Sequence, residues 1–134
     1  MGIKRVASTF SPTFSDAVQV EGEGRWILVS GQVGTDDSGK IAPGDFSHEA
    51  DQCFAHIRAA LEKCDAKMSD VIRITAYITD LGLYSQYSEA RRRAFPQSPP
   101  ASATVQVAGL LLGARIEVDA MAFVVGPLTI GGGQ

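Results

Sequence analysis

Two stretches of the chain place polar side chains beside glycine or proline at the ends of apolar runs. Residues 29–34 continue an apolar strand pattern through Ser30, and glycine follows at positions 31 and 34. Gly31 either relieves a steric clash at a bulge in the strand or lets a ligand approach the main chain closely. The stretch is not a phosphate-binding loop, because it lacks spaced glycines followed by lysine and a hydroxyl residue.

The second stretch, residues 99–108, begins with a proline pair and continues as a strand whose polar face carries Ser102 and Thr104. A later strand pattern alternates Arg115, Glu117 and Asp119 with apolar residues. Side chains two positions apart share one face of a strand, so a cation and two carboxylates lie together. We interpret Arg115 as a partner of Glu117 or a surface charge, or else as a cation that is available to a ligand.

The other reactive side chains give weaker patterns. His48, Cys53 and His56 fall on one predicted helix, but His48 lies far from Cys53 around the helix axis, so we expect no zinc site. Cys53 and Cys64 are too far apart along that helix for a disulfide, and we interpret both as small buried hydrophobic residues. Residues 91–93 are three successive arginines near the end of a second helix, which indicates a solvated helix end.

Composition narrows the class of protein. The chain has 134 residues, of which 45% are hydrophobic and 20% charged, and this favours a single globular domain over residues 1–134 with a flexible tail at 126–134. The net charge of −3 argues against a nucleic-acid partner. No apolar run approaches the roughly 20 residues of a membrane span, and the N-terminus does not resemble a signal peptide. We therefore expect no membrane partner and a cytoplasmic location.

Hydrophobic periodicity predicts the elements that must position these residues, in the order β-β-β-α-β-α-β-β. The first helix is predicted over 46–65 with Ser47 as its N-cap, and the second over 84–94, ending before a proline cluster. Trp26 is expected in the core. The strands are predicted at 3–9, 17–20, 25–33, 71–79, 102–107 and 115–122.

Two helices can cover only one face of such a sheet. The other face is expected to carry polar and mid-sized side chains, and it is either solvated or buried against other copies of the chain. We expect self-association. The residues assigned to this uncovered face are Thr75, Tyr77, Thr104, Gln106 and Glu117.

Together these stretches resemble the reactive-intermediate (imine/enamine) deaminase family of the Rid/YjgF type. The most specific segments are Ser30-Gly31-Gln32, Pro100-Ala101 and residues 116–120. The resemblance implies an α+β, chorismate-mutase-like single domain with a mainly antiparallel sheet and two helices on one face. It also implies a homotrimer with ligand clefts between neighbouring subunits and no required cofactor or metal.

The resemblance further implies a set of site residues. In deaminating members, an arginine at the start of the penultimate strand binds the substrate carboxylate, and a glutamate on the last strand handles the attacking water. Glu117 matches that glutamate and is the predicted catalytic residue, whereas Ser102 stands where the arginine is expected. The predicted substrate-binding residues are Gly31, Ser102, Thr104, Phe14 and Arg115.

Two functions remain open at this point. The first is a cofactor-free hydrolytic deaminase of small reactive imines or enamines. Its substrate range would be altered, because one neutral hydrogen bond from Ser102 in place of a charged pair costs a carboxylate ligand roughly 1–3 kcal/mol. We therefore expect weak activity on 2-imino acids and a gain from Ser102→Arg. The alternative is a non-catalytic trimer that binds a small ligand or a protein. The acidic composition argues against a ribonuclease.

Overall fold

The computed structural model describes residues 2–127, and the predicted order of elements is confirmed. Short 3₁₀ turns at Met68–Asp70, Leu81–Leu83 and Leu111–Gly113 join some of the elements. The predicted tail lies outside the described residues from position 128 onwards. The elements are β1 (Gly2–Ala7), β2 (Ser15–Glu21), β3 (Gly24–Val33), α1 (Phe46–Glu62), β4 (Val71–Ile78), α2 (Tyr84–Ala94), β5 (Ala101–Gln106) and β6 (Ile116–Val125).

The six strands form one mixed sheet in the order β1-β2-β5-β4-β6-β3. Three of its strand pairs are antiparallel, whereas β5 runs parallel to both of its neighbours. The contact of β5 with β2 is limited to one register pair, Ser15 with Ala101. Most of that edge of β5 is therefore unpaired among the described residues, which leaves backbone groups available to a ligand or to another chain.

Both helices pack on one face of the sheet, which confirms the predicted α+β class. The α1 residues Ala50, Cys53, Ile57 and Leu61 recur every three or four positions and are fully buried, as an amphipathic helix requires. Asp45, not Ser47, is the N-cap, and its carboxylate accepts a hydrogen bond from the backbone N–H of His48.

Helix α1 ends at Glu62, three residues earlier than predicted. The chain leaves the helix through Asp65, whose φ of 54° lies in the left-handed region. Cys64 therefore follows the helix and is exposed, so the prediction that both cysteines are buried was wrong for Cys64. Among the described residues, no helix is both long enough and apolar enough to cross a bilayer.

The opposite face of the sheet is not covered by any described element. It carries polar side chains from β4 and β6, including Tyr77 and Asp119, together with the exposed apolar side chains of β3. Trp26 is 57% exposed and Leu28 is 72% exposed on this face, because Ile27 and Val29 are the residues of β3 that face the helices. The prediction that Trp26 lies in the core was therefore wrong.

The assignment of faces on β5 was also wrong. Ser102 is in register with the buried Ile74, and Thr104 with the buried Ala76, so both hydroxyls lie on the helix-covered side. Gln106 lies on the same side, where its amide oxygen accepts a hydrogen bond from the backbone N–H of Leu81 at 2.9 Å.

Candidate functional site

Glu117 and Gly31 adjoin one another where β3 and β6 pair. The register of this pair shifts between Val29 and Gln32, so that β3 contains a bulge with one extra residue. A Cβ atom at position 31 would overlap the Glu117 carboxylate. The bulge and the glycine together make room for this carboxylate, and we call Gly31 and Glu117 the glutamate cluster.

The Glu117 carboxylate forms no hydrogen bond or ion pair with any side chain of residues 2–127. On the same face, the Tyr77 hydroxyl donates to Asp119 Oδ2 at 3.0 Å, and this bond raises the pKa of Tyr77. A depression of about 340 Å³ lies beside Gly31 and is also lined by Leu28, Thr75 and Asp119. An unpartnered carboxylate can accept a hydrogen bond from water and take its proton.

Arg115 does not pair with Glu117, so that interpretation was wrong. Its Nε donates to Glu49 Oε1 at 2.7 Å, and its backbone N–H donates to Glu49 Oε2 at 2.7 Å. Glu49 is fully buried in α1, so the contact connects that helix to the start of β6. The structure therefore does not bring Arg115 together with the other predicted site residues.

The environment of Arg91 differs more from the sequence-based prediction than that of any other candidate residue. The prediction of a solvated helix end holds for Arg92 and Arg93, which are exposed, but Arg91 is only 1% exposed. Its Nη1 donates to Ser102 Oγ at 2.9 Å. A cation from α2 thus contacts the serine at which the family resemblance places an arginine.

Hydroxyls and aromatic rings surround this guanidinium. It donates to Thr13 Oγ1 from Nε at 3.2 Å and from Nη2 at 2.8 Å, and Nη2 also donates to the Tyr84 hydroxyl at 2.8 Å. The central carbon lies 4.9 Å from the ring centroid of Phe14 and 5.0 Å from that of Tyr87. We call this group the arginine cluster: Thr13, Phe14, Tyr84, Tyr87, Arg91 and Ser102.

Tyr87 completes the inner wall of the arginine cluster. It is fully buried, and burial raises the pKa of its phenol, while the Arg91 charge and the nearby Ser102 hydroxyl oppose that shift. Its oxygen nevertheless forms no hydrogen bond of ordinary geometry with any described residue. The Ser102 hydroxyl and the Arg91 guanidinium lie close enough to this oxygen to compensate its burial in part.

The sequence contained a signal for Arg91 that the three consecutive arginines concealed. Tyr84, Tyr87 and Arg91 follow the spacing i, i+3, i+7, which places them on one face of α2. Two aromatic residues on that stripe indicate the face that packs against the sheet. Arg91 therefore belongs to the buried face, whereas Arg92 and Arg93 do not.

The predicted site residues fall into two groups on opposite sides of the sheet. Gly31 and Glu117 lie on the uncovered side, whereas Phe14 and Ser102 lie with Arg91 on the helix-covered side. Thr104 shares the side of Ser102 but makes no side-chain hydrogen bond among residues 2–127. A single copy of the chain therefore does not bring Glu117 to Ser102.

Two of the three side chains considered for a metal lie near backbone carbonyl oxygens. His56 Nε2 lies 2.8 Å from the Thr35 carbonyl oxygen, and Cys53 Sγ lies 3.7 Å from the Ile116 carbonyl oxygen. Burial raises the pKa of the Cys53 thiol to about 12. Within the part of the chain that the structure describes, no three His, Cys, Asp or Glu side chains are grouped to hold a metal ion.

Comparison with known proteins finds similar chains over most of the sequence. A family model described as Endoribonuclease L-PSP matches residues 6–124. The chain is 37% identical over 117 residues to the 2-iminobutanoate/2-iminopropanoate deaminase of Bos taurus, covering 87% of this chain and 82% of that protein. It is 36% identical over 110 residues to the protein DfrA of Myxococcus xanthus, covering 81% and 83% of the two chains.

The solved structures that it resembles share the chorismate-mutase-like fold. The crystal structure of RidA from an Antarctic Psychrobacter bacterium matches with a TM-score of 0.72 and 28% identity, covering 92% of this chain and 99% of that one. A family model that spans most of the chain, relatives above 30% identity and a common fold agree with one another. The chain therefore belongs to the Rid/YjgF family.

Proposed function

We propose that this protein is a cofactor-free hydrolase of small reactive imines or enamines, and that it works in clefts between the subunits of a homotrimer. Its relatives are named imine deaminases, which supports this class of reaction for the family. The observation that carries the proposal is the unpartnered Glu117 carboxylate above the Gly31 bulge. A site of this kind positions water without a metal.

The reaction is a hydrolysis that needs only water. Glu117 accepts a hydrogen bond from one water molecule and takes its proton as the water oxygen bonds to the imine carbon. Glu117 returns this proton to the nitrogen, which gives a neutral carbinolamine. The hydroxyl proton of the carbinolamine then passes to the nitrogen through Glu117, and the C–N bond breaks as the C=O bond forms. The products are ammonia and a carbonyl compound, so neither oxidation nor an external group donor is involved.

The substrate range is proposed to differ from that of members with an arginine at position 102. The side chain at this position is a serine, and the Arg91 guanidinium lies behind it rather than in its place. Ser102 offers a hydroxyl donor in place of a bidentate fork, so binding depends less strongly on a planar carboxylate. Imines that carry a weaker anionic group, or none, become relatively better substrates.

The proposed trimer follows from the separation of the two clusters. Glu117 and Ser102 lie on opposite sides of the sheet, which supports a cleft that takes the glutamate cluster from one subunit and the arginine cluster from the next. The uncovered face exposes large apolar side chains, among them Trp26, Leu28 and Val105. A patch of this kind on a small domain is typical of an interface, and the occupant we propose is a second copy of the chain.

Ammonia release tests the proposal. Purified protein is mixed with freshly generated 2-aminoacrylate or 2-iminobutanoate, and ammonia is measured against buffer alone. Glu117→Gln keeps the shape of the side chain and removes its charge, so hydrolysis should fall by roughly 10²-fold or more while the trimer persists. Trimer mass is measured on the same samples by light scattering.

Two outcomes would overturn the catalytic assignment. If Glu117→Gln weakens the trimer but leaves the activity per trimer unchanged, Glu117 joins subunits and does not activate water. If the wild-type protein binds a small ligand but releases no ammonia above the buffer rate, either from these imino acids or from an imine without a carboxylate, the chain is a non-catalytic binding trimer on the same scaffold.

A further inference from the structure

We infer that an apolar depression along the loop before β2 binds the side chain of the substrate, and that the preferred substrates are imines with a large apolar side chain. The inference rests on the proposed function, because it names the substrates of that same cleft. The depression has a volume of about 370 Å³ and is lined by residues 7–12, Phe14 and Pro99. Phe10 and Phe14 are the specificity-determining residues.

The first observation is the position of Phe10. Its side chain is 91% exposed, and the backbone that carries it is held by hydrogen bonds. Ser8 Oγ accepts from the backbone N–H of Phe10 at 3.0 Å and from that of Ser11 at 3.4 Å. An aromatic ring that a hydrogen-bonded turn already presents loses little conformational freedom when a ligand packs against it.

The second observation is the chemistry of the lining. The hydroxyl groups of the loop are engaged within it: Ser8 Oγ accepts from two backbone N–H groups, and Ser11 Oγ lies 3.0 Å from Thr13 Oγ1. None of the described residues that line the depression is charged. Such a surface favours an apolar group, because a charged group would lose its hydration there without gaining a partner. The apolar surface comes from Ala7, Phe10, Pro12, Phe14 and Pro99.

The third observation is the size of the depression. Ligand pockets usually have volumes of roughly 300–1,000 Å³, and an apolar cavity of about 150 Å³ already holds benzene. The volume of about 370 Å³ is therefore sufficient for an aromatic ring or a branched aliphatic chain. A methyl group, the side chain of 2-iminopropanoate, would leave most of the apolar surface uncovered.

Phe14 connects the depression to the proposed cleft. It lines the depression, and its ring centroid lies 4.9 Å from the central carbon of Arg91 in the arginine cluster. The backbone N–H of Ser15 donates to the Pro100 carbonyl oxygen at 2.8 Å, so the end of the loop is held against the start of β5. Pro99 precedes Ser102 by three residues, which is at most about 10 Å of extended chain. A substrate beside Ser102 can therefore reach the depression with a long side chain, and not with a methyl group.

The first test measures binding and does not require turnover. The probe is 4-phenyl-2-butanone, and 2-butanone is the matched ketone without the ring. Neither probe carries a carboxylate, so their comparison does not depend on an anion site. Dissociation constants are measured by ligand-observed NMR on the purified protein. We expect saturable binding of 4-phenyl-2-butanone that is about tenfold tighter or more than that of 2-butanone.

Variants then assign the effect to the loop. Phe10→Ser should weaken binding of 4-phenyl-2-butanone by about fivefold or more and leave that of 2-butanone within about twofold. Leu111→Ser is the matched control, because Leu111 is 77% exposed on the turn after β5, whereas the loop adjoins the start of that strand. It should change neither affinity by more than about twofold. Light scattering on the same samples records the mass of the assembly.

The second test asks whether the same residue selects the substrate. Imines are generated in place from L-phenylalanine or L-alanine by an amino-acid oxidase, and ammonia release is measured above that of the mixture without the protein. We expect kcat/KM for the imine from phenylalanine to exceed that for the imine from alanine by about tenfold or more. Phe10→Ser should remove most of this preference.

The outcomes separate this inference from the proposed function. Equal affinity for the two ketones, unchanged binding in Phe10→Ser, or equal losses in Phe10→Ser and Leu111→Ser overturns the inference even if ammonia is released. A fall in the mass of the assembly in Phe10→Ser places Phe10 in a subunit contact and also overturns it. Ammonia release at equal efficiency from both imines overturns this inference alone. Selective binding that requires Phe10, without ammonia release from any imine, supports the side-chain site and overturns only the catalytic proposal.

Discussion

The Glu117 carboxylate occupies the space that a side chain at position 31 would fill. A methyl group on Gly31 would overlap the carboxylate, and the adjoining backbone of β6 cannot retreat because it is paired on both sides. The side chain of Glu117 must therefore turn away from the bulge if residue 31 gains a Cβ atom. Its position, and not only its charge, depends on this glycine.

We expect Gly31→Ala to reduce imine hydrolysis about as much as Glu117→Gln, roughly 10²-fold if the carboxylate is the general base. The physical reason is displacement of the carboxylate from the attacking water. Ammonia release from 2-iminobutanoate is the measurement. Gly109→Ala is the control, because a Cβ there meets no atom within 4 Å; equal losses in the two variants would refute the steric explanation.

The contact between Arg91 and Ser102 reverses an expectation taken from the sequence. A guanidinium introduced at position 102 would meet the one already placed 2.9 Å from Ser102 Oγ. Two cations in a partly buried site repel each other, since the low local dielectric strengthens their interaction. We therefore expect that restoring the family arginine alone does not restore the family site.

We expect Ser102→Arg to lower the thermal midpoint without raising activity on 2-imino acids. Combining it with Arg91→Met removes the second charge and should recover most of the lost stability. Circular dichroism melts and ammonia release, measured on the single and double variants, check both parts. A fully stable single variant with raised activity would show that the new guanidinium finds separate space.

At the scale of elements, α1 and β6 are joined by a charge pair that the sequence did not reveal. Glu49 is fully buried and receives two hydrogen bonds from Arg115, one of them from the backbone at the start of β6. Removing the cation leaves a buried carboxylate that is only partly compensated. This contact holds the start of β6, the strand that carries Glu117, against α1.

We expect Arg115→Met to lower the free energy of unfolding by about 1–3 kcal/mol, less than for a fully buried pair because the Arg115 side chain is 42% exposed. Urea titration measures the change. Arg92→Met is the matched control, since the Arg92–Glu89 pair is more than half exposed on both sides and should contribute less than about 0.5 kcal/mol. Equal effects would show that the burial of Glu49 is not the cause.

Periodicity predicted the elements well and their faces less well. The repeat in α1 and the alternation in β4 follow directly from burial on one side, so their positions were predictable. In β5 the alternation was correct, but Ala103 and Val105 suggested the wrong core face. The helix-covered side at this strand holds Arg91 and hydroxyls in place of apolar packing, and sequence hydrophobicity does not report such an exception.

The candidate site was predictable in part for the same reason. Glu117 and Gly31 were predicted because both lie in segments that resemble the family. The contact between them could not be predicted, because it depends on how β3 and β6 pair in the folded chain. Arg91 was missed because its partners Thr13 and Ser102 come from distant parts of the chain. Only the tertiary fold decides which of three adjacent arginines is buried.

At the scale of the whole molecule, the uncovered sheet face is the proposed trimer contact. Leu28 is 72% exposed on this face, on the edge strand β3 and next to Trp26 and Met121. We expect Leu28→Asp to convert the trimer into monomers, because a charge in an apolar interface loses its hydration without a partner. Light scattering coupled to size-exclusion chromatography measures the mass at micromolar concentration.

Leu81→Asp is the control for that substitution. Leu81 is 43% exposed and lies on the side of the sheet that the helices cover, so the same change there should leave the trimer intact. A wild-type protein that is already monomeric would refute the assembly, and with it the shared cleft. A trimer that survives Leu28→Asp would place the interface on another surface.

The division of the site between two faces of the sheet has a consequence for inheritance. In a cyclic trimer, a subunit that lacks Glu117 still offers its arginine cluster to a neighbour, and a subunit that lacks Arg91 still offers its glutamate cluster. Two individually defective alleles expressed together would therefore complement each other, with about a quarter of the clefts intact after random mixing. Two alleles with defects in the same cluster would not complement.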